Sequence, residues 1–270
     1  VNSAHRLKLD NFLFAPVSSG MTTLFRLLLA LMLAFAFKPA GLVTRDYWGS
    51  FSWLGGIILS PGYCVLIYLA IAGFGLGLGR RYPGFLLLLL LIPHAYLNRG
   101  NQSRQVMLFV LLCVSLLPSR PLWTVWKERH LAAAHAPVWP IRLVQLQLTV
   151  LYGFNALVKT TPHYLSGEAL MGLSMRPNFH VDLTSGWLHL GPLSLPVWLL
   201  ACSTVGIEYV LALGMWFRRS LYPTAALGLL FHIGLTFMIT IFMLDYVSLF
   251  LYLAFLIPFV EKRHATCYSS

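Results

Sequence analysis

The sequence is 270 residues long, 58% hydrophobic and only 10% charged, with a mean hydropathy of +0.75, a balance that excludes an ordinary soluble domain and fits a polytopic helical membrane protein. A formal net charge of +11 would suggest nucleic acid in a soluble chain. Here Lys and Arg sit in short loops between apolar runs, where they act as topology signals, so no nucleic-acid partner is expected.

In chain order, residues 1–20 lack the form of a signal peptide and read as an interfacial or cytoplasmic segment, with Leu7, Leu9, Phe12 and Phe14 touching the membrane. The first span is predicted at about Met21 to Phe37 and carries Arg26, whose long side chain can snorkel to the near surface. Trp53 to Leu59 is too short to cross and reads as interfacial. The second span runs from about Gly62 to Leu78 and stops at Arg80 and Arg81. The third runs from about Pro83 to Leu97, and the fourth from about Gln105 to Leu117. Pro118 to Ala136 is polar and Trp-rich, a surface loop with a short interfacial helix.

The fifth span begins near Pro140. Arg142, Gln145, Thr149, Tyr152, Asn155 and Lys159 recur along it every three or four residues, and at about 100° per residue they fall within an arc of roughly 140°. A polar stripe cannot face lipid without leaving donors and acceptors unpaired, so it is expected to face other helices or an interior pocket. Residues 160–195 follow, with His163, His180, His189, Glu168 and Asp182 among glycines and prolines, and read as an outer-side loop, re-entrant or capping segment. The spacing of these histidines is no zinc pattern, and no metal is expected. Cys64, Cys113 and Cys202 lie in apolar runs and Cys267 in the tail, all read as packing residues.

The sixth span, about Pro196 to Phe217, holds Glu208 and closes at Arg218 and Arg219. The seventh, about Tyr222 to Ile241, holds His232, with Thr236 and Thr240 on the same face. The last runs from about Val247 to Val260. The expected fold is therefore an all-α transmembrane bundle, a single domain over 1–270 with about eight spans, both termini cytoplasmic by the positive-inside bias, in a bacterial inner membrane.

A charge at mid-bilayer costs at least about 2.5 to 3.5 kcal/mol on insertion scales, so Arg26, Arg142, Lys159, Glu208 and His232 need partners. Glu208 can form a structural ion pair with Arg26 or Arg142, and His232 can be a neutral imidazole bonded to a neighbouring helix. Lys159 can snorkel from the outer end of its helix or, desolvated, act as a base. Convergence of Lys159, Tyr152, Glu208 and His232 on one interior site is the sharper expectation, with Asn155, Arg26 and Arg142 as further pocket residues.

The segment YGFNALVKTTPHYLSGEAL, Tyr152 to Leu170, resembles the HTTM (horizontally transferred transmembrane) domain family, related to the membrane domain of vitamin K-dependent gamma-carboxylase. Other stretches fit that family in order: APVSSGMTTLFRLLLALML with Arg26, LNRGNQSRQVMLFVLLCVSLLP, GIEYVLALGMWFRR with Glu208, and FHIGLTFMITIFMLDYVSLF with His232. The resemblance spans nearly the whole chain. It implies an interior site for a quinone or quinol, vitamin K-like, or for a lipid, and it makes Lys159 the base that deprotonates the quinol. Two differences set another expectation beside this one. The carboxylases carry a substrate-binding domain after the membrane part, and the stretch Asn98 to Asn101 offers no histidine where they have one. The second expectation is an accessory or structural subunit that packs against other membrane-protein subunits and membrane lipids, keeping the pocket without the reaction.

Overall fold

A computed structural model describes residues 16–36, 60–79, 81–97, 102–117, 121–127, 135–239 and 251–255. The expected interfacial start up to residue 15, the Trp53 to Leu59 run and most of the Val247 to Val260 span lie outside the described residues. What is described is mostly helical. Two compact units divide the chain, one in Val1–Val144 with Leu256–Ser270 and the other in Gln145–Phe255.

In the first unit, strand β1 (Pro16–Ser18) pairs antiparallel with β2 (His135–Pro137). Helices α1 (Ser19–Ala36), α2 (Pro61–Leu76), α3 (Tyr82–Leu97) and α4 (Gln102–Leu116) each pack on the next in sequence, and α1 also meets α4 and the short α5 (Leu122–Lys127). That short helix falls where the polar loop led us to expect one. The boundaries of α2 follow from its end residues. The Ser60 hydroxyl accepts from the Tyr63 amide at 3.3 Å, Pro61 occupies the first turn where a missing N–H costs nothing, and Gly77 ends the helix at φ 74°, a left-handed conformation suited to glycine. Small residues set how closely these helices approach. A Cβ on Gly75 would meet that of Ala30 at 2.8 Å, and one on Gly84 would collide with the Ser115 hydroxyl. Leu29, Leu33, Leu87, Leu91 and Leu111 fill the core.

The second unit holds most of α6 (Trp139–Lys159), then α7 (Pro162–Leu165), α8 (Glu168–Ser174), the hairpin β3 (Trp187–Leu190) and β4 (Leu193–Pro196), α9 (Val197–Gly214), α10 (Leu221–Met238) and a helical turn at 251–255. The 160–195 segment is thus structured. Leu183, Leu188 and Val197 form its small core with Leu170, Met171, Leu195 and Met238. It is stitched to the end of α10 by the His180 amide donating to the Met238 carbonyl at 2.9 Å and by a bridge between Phe179 and Ile239. On its surface the exposed Asp182 carboxylate accepts from the Thr184 hydroxyl at 2.7 Å and from the Thr184 amide at 2.8 Å, which holds its pKa below the usual carboxylate range.

By length and composition α6, α9 and α10 can each cross a membrane, while Gly20–Phe35, Pro61–Leu76, Tyr82–Pro93 and Gln105–Leu116 are shorter apolar helices. The 21 residues of α6 reach about 31 Å at about 1.5 Å per residue, the thickness of a hydrocarbon core.

Candidate functional site

The polar stripe on α6 divides into two parts with different partners. Near the start of the second unit it is consumed by the bundle. The Gln145 amide nitrogen donates to the Ala254 carbonyl at 2.7 Å. The Thr149 hydroxyl donates to the Gln145 carbonyl and accepts from the Trp216 indole at 2.7 Å. One turn on, the buried Tyr152 hydroxyl lies 2.6 Å from His232 Nε2 on α10 and 2.7 Å from the Tyr252 hydroxyl. These contacts answer the demand that buried polar groups be paired, and they lock α6 to its neighbours.

The far end of the stripe is different. Lys159 is the last residue of α6, where exposed carbonyls and the negative end of the helix dipole favour a cation. Its Nζ donates to Glu208 Oε1 at 2.6 Å, with the lysine side chain 30% exposed and the glutamate side chain 5%. Tyr164 on α7 lies over the ammonium, 5.7 Å from nitrogen to ring centroid. Asn155, one turn before Lys159 on the same face, is half-buried, and among the described residues its amide makes no hydrogen bond.

Among the described residues Glu208 Oε2 has no hydrogen-bond partner, and it is shut away from solvent. Leaving a buried acceptor unmade costs about 1–3 kcal/mol, more when the group is charged, so this oxygen marks a place where a donor belongs. His232 is close enough to act electrostatically on Glu208. Of the four residues expected to converge, the structure shows two pairs, Lys159 with Glu208 and Tyr152 with His232.

Arg26 and Arg142 take other places. Arg26 is buried in the first unit, where its Nε lies 3.4 Å from the Gly75 carbonyl of α2. Arg142 stands seventeen residues before Lys159 on the same helix, about 25 Å along its axis. The cationic partner expected for Glu208 in Arg26 or Arg142 is instead Lys159.

Three contributors were not visible in advance. Tyr252 sits in a stretch, FLYLAF, that reads as any apolar span, and only its alternation with Tyr152 and His232 in space shows its part. Tyr164 was hidden in a loop segment. Gly228 is a glycine because Tyr252 occupies the space a side chain would need: a Cβ there would meet the Tyr252 hydroxyl at 2.5 Å.

A model of the HTTM domain matches residues 14–258 of the chain. No curated protein and no solved structure matches it.

Proposed function

The chain belongs to the HTTM domain family, and on that premise we propose that this integral membrane protein holds a quinone-like or lipid-like molecule at Lys159 and Glu208 and works as a subunit of a larger membrane assembly. The observation that carries the reading is the unpaired, buried Glu208 Oε2 beside a lysine that is itself only partly covered. An ionised carboxylate only accepts and an ammonium only donates. Together they suit a head group with one hydroxyl for Oε2 and one oxygen for Nζ, and the open amide of Asn155 can serve either.

About eight spans in a bacterial inner membrane, both termini cytoplasmic and residues 160–195 on the outer side, complete the proposal. As an ammonium held on Oε1, Lys159 is a binding group and not yet a base, which favours the subunit reading.

The test is binding of a short-chain quinol and of a hydroxyl-bearing lipid to the purified protein and to Glu208→Gln. A hydrogen bond to a charged group is worth about 1.5–3 kcal/mol, so the variant is expected to bind about tenfold or more weakly. Equal binding by the variant, or none by the parent, removes the site. Isolation from native membranes without companion subunits removes the assembly role.

A second reading is the quinol-dependent, carboxylase-like reaction that the family resemblance implies, with Lys159 as base. The contact with Glu208 favours it to this extent: a lysine can serve as a base only after passing its proton on, and Oε1 is in position to receive it. Lys159→Arg should then abolish quinol-dependent oxygen consumption, because a guanidinium stays protonated. Persistence in the variant or absence in the parent sinks this reading.

A further inference from the structure

The segment between α6 and α9 divides into two halves of opposite character. Its charged side chains, Glu168, Arg176 and Asp182, all stand exposed before residue 183. Between Asp182 and Glu208 the sequence has no Asp, Glu, Lys or Arg, and the hairpin β3–β4 falls wholly in that uncharged stretch. A two-stranded hairpin is marginal in water by itself, and an edge strand that faces water is ordinarily guarded by charge. This one is exposed along most of its length and carries none.

The register shows where its side chains go. Leu188 stands opposite Leu195 and Leu190 opposite Leu193, and side chains two apart share a face, so the four leucines make one apolar face. The end with Leu188 and Leu195 packs on Leu183 and Val197. Leu190 and Leu193 run past that core, each about half exposed. On the other face His189 Nδ1 lies 2.8 Å from the Oγ of its cross-strand partner Ser194. The polar side chains of the ladder thus satisfy each other, and Trp187 stands opposite Pro196.

No linker separates the hairpin from α9. Strand β4 ends at Pro196 and α9 begins at Val197, whose amide donates to the Gly186 carbonyl at 3.0 Å. Helix α9 is long and apolar enough to cross a membrane, so the hairpin belongs where that helix meets the bilayer surface. Two exposed indoles mark the same level, Trp187 at the base of the hairpin and Trp198 in the first turn of α9, and tryptophan collects at the membrane–water interface. At about 3.4 Å per residue Leu193 is about 10 Å from Pro196, a reach that fits within an interfacial layer roughly 5–8 Å deep when the hairpin lies along it.

We propose that the hairpin is a membrane anchor lying in the head-group layer at the start of α9, with Leu190, Pro192 and Leu193 at the acyl boundary, Trp187 and Trp198 among the head groups, and the charged half in water. Its occupant is lipid and not a protein surface. A stable protein interface takes about 800 Å² from each partner, more than four half-covered side chains supply, whereas lipid accepts a small apolar patch without a matching shape. The paired backbone and the paired His189 and Ser194 lower the cost of that burial. The anchor depends on α9 crossing the membrane and is independent of any ligand at Lys159 and Glu208.

The test uses the whole chain in vesicles of phosphatidylcholine and phosphatidylglycerol. With the native cysteines replaced, a bimane is attached at Leu193→Cys and, as a control in the charged half, at Asp182→Cys. Lipid carrying a nitroxide near the head-group end of its acyl chain should quench the 193 label several-fold more than the 182 label, and iodide in the water should do the reverse. Iodide quenching at 193 as strong as at 182 puts the hairpin in water. Quenching by neither reagent means that protein covers it, a second copy or a companion subunit; either result overturns the proposal. The unsubstituted protein gives an independent readout, because a lipid with a head-group diazirine should label residues 187–198. No labelling there overturns the anchor even where a bimane at 193 disturbs the hairpin.

Discussion

A carboxylate as buried as that of Glu208 depends on its cationic partner, Lys159. Removing one member of a buried pair costs about 3–5 kcal/mol, whereas exchanging both for apolar groups of similar size is often neutral. Lys159 is partly exposed, which puts Lys159→Met near the lower bound, a loss of about 3 kcal/mol in reversible unfolding in mixed micelles. The double variant Lys159→Met with Glu208→Leu should return to within about 1 kcal/mol of the parent. No loss in the single variant, or an added loss in the double, would show that the contact is not a coupled buried pair. The sequence singled out both residues, because charge inside an apolar run is costly wherever it falls. It could not pair them, since they stand 49 positions apart and nothing local says which of several cations meets a given carboxylate.

At the scale of elements, the stripe on α6 was legible because a period of 3.6 shows in any window of a few turns. What the period cannot say is which part of the stripe holds the bundle together and which part is open. Gln145, Thr149 and Tyr152 are satisfied by Ala254, Trp216, His232 and Tyr252, all far away in sequence. A lysine before Thr-Thr-Pro reads as the end of a span, and Lys159 does end α6; that the residues after it stay beside α9 is a register that exists only in three dimensions.

The packing of Tyr252 gives a test at this scale. Gly228→Ala puts a methyl group where the Tyr252 ring lies, and overpacking of this kind costs about 1–3 kcal/mol. Gly234 is on the same helix with nothing within 4 Å of a built Cβ, so Gly234→Ala should be neutral or stabilising by up to about 1 kcal/mol. Equal effects of the two substitutions in thermal unfolding would mean that Tyr252 does not pack against α10 as described.

For the whole molecule, composition established a helical membrane protein, yet the number of crossings is a matter of length, and the helices differ in length. The 16 residues of α2 and of α3 give about 24 Å each, short of a hydrocarbon core of about 30 Å, so these need tilt, thinning or flanking residues to cross. Helix α9 is the one that best tests orientation, because both of its flanks are described. Before it stands the 160–195 segment, with Arg176 as its single Lys or Arg; after it stands a turn with Arg218 and Arg219. The positive-inside bias predicts the turn in the cytoplasm and the preceding segment outside. Single cysteines at Asp182 and Arg219, in a background without the native ones, should be modified by a membrane-impermeant maleimide from opposite faces, Asp182→Cys from outside and Arg219→Cys from inside only. The two sites are joined by one helix, so each result has a distinct meaning. Modification of both from the same face would show that α9 does not cross. Modification from opposite faces in the reverse sense would keep α9 as a crossing, while turning the proposed topology over.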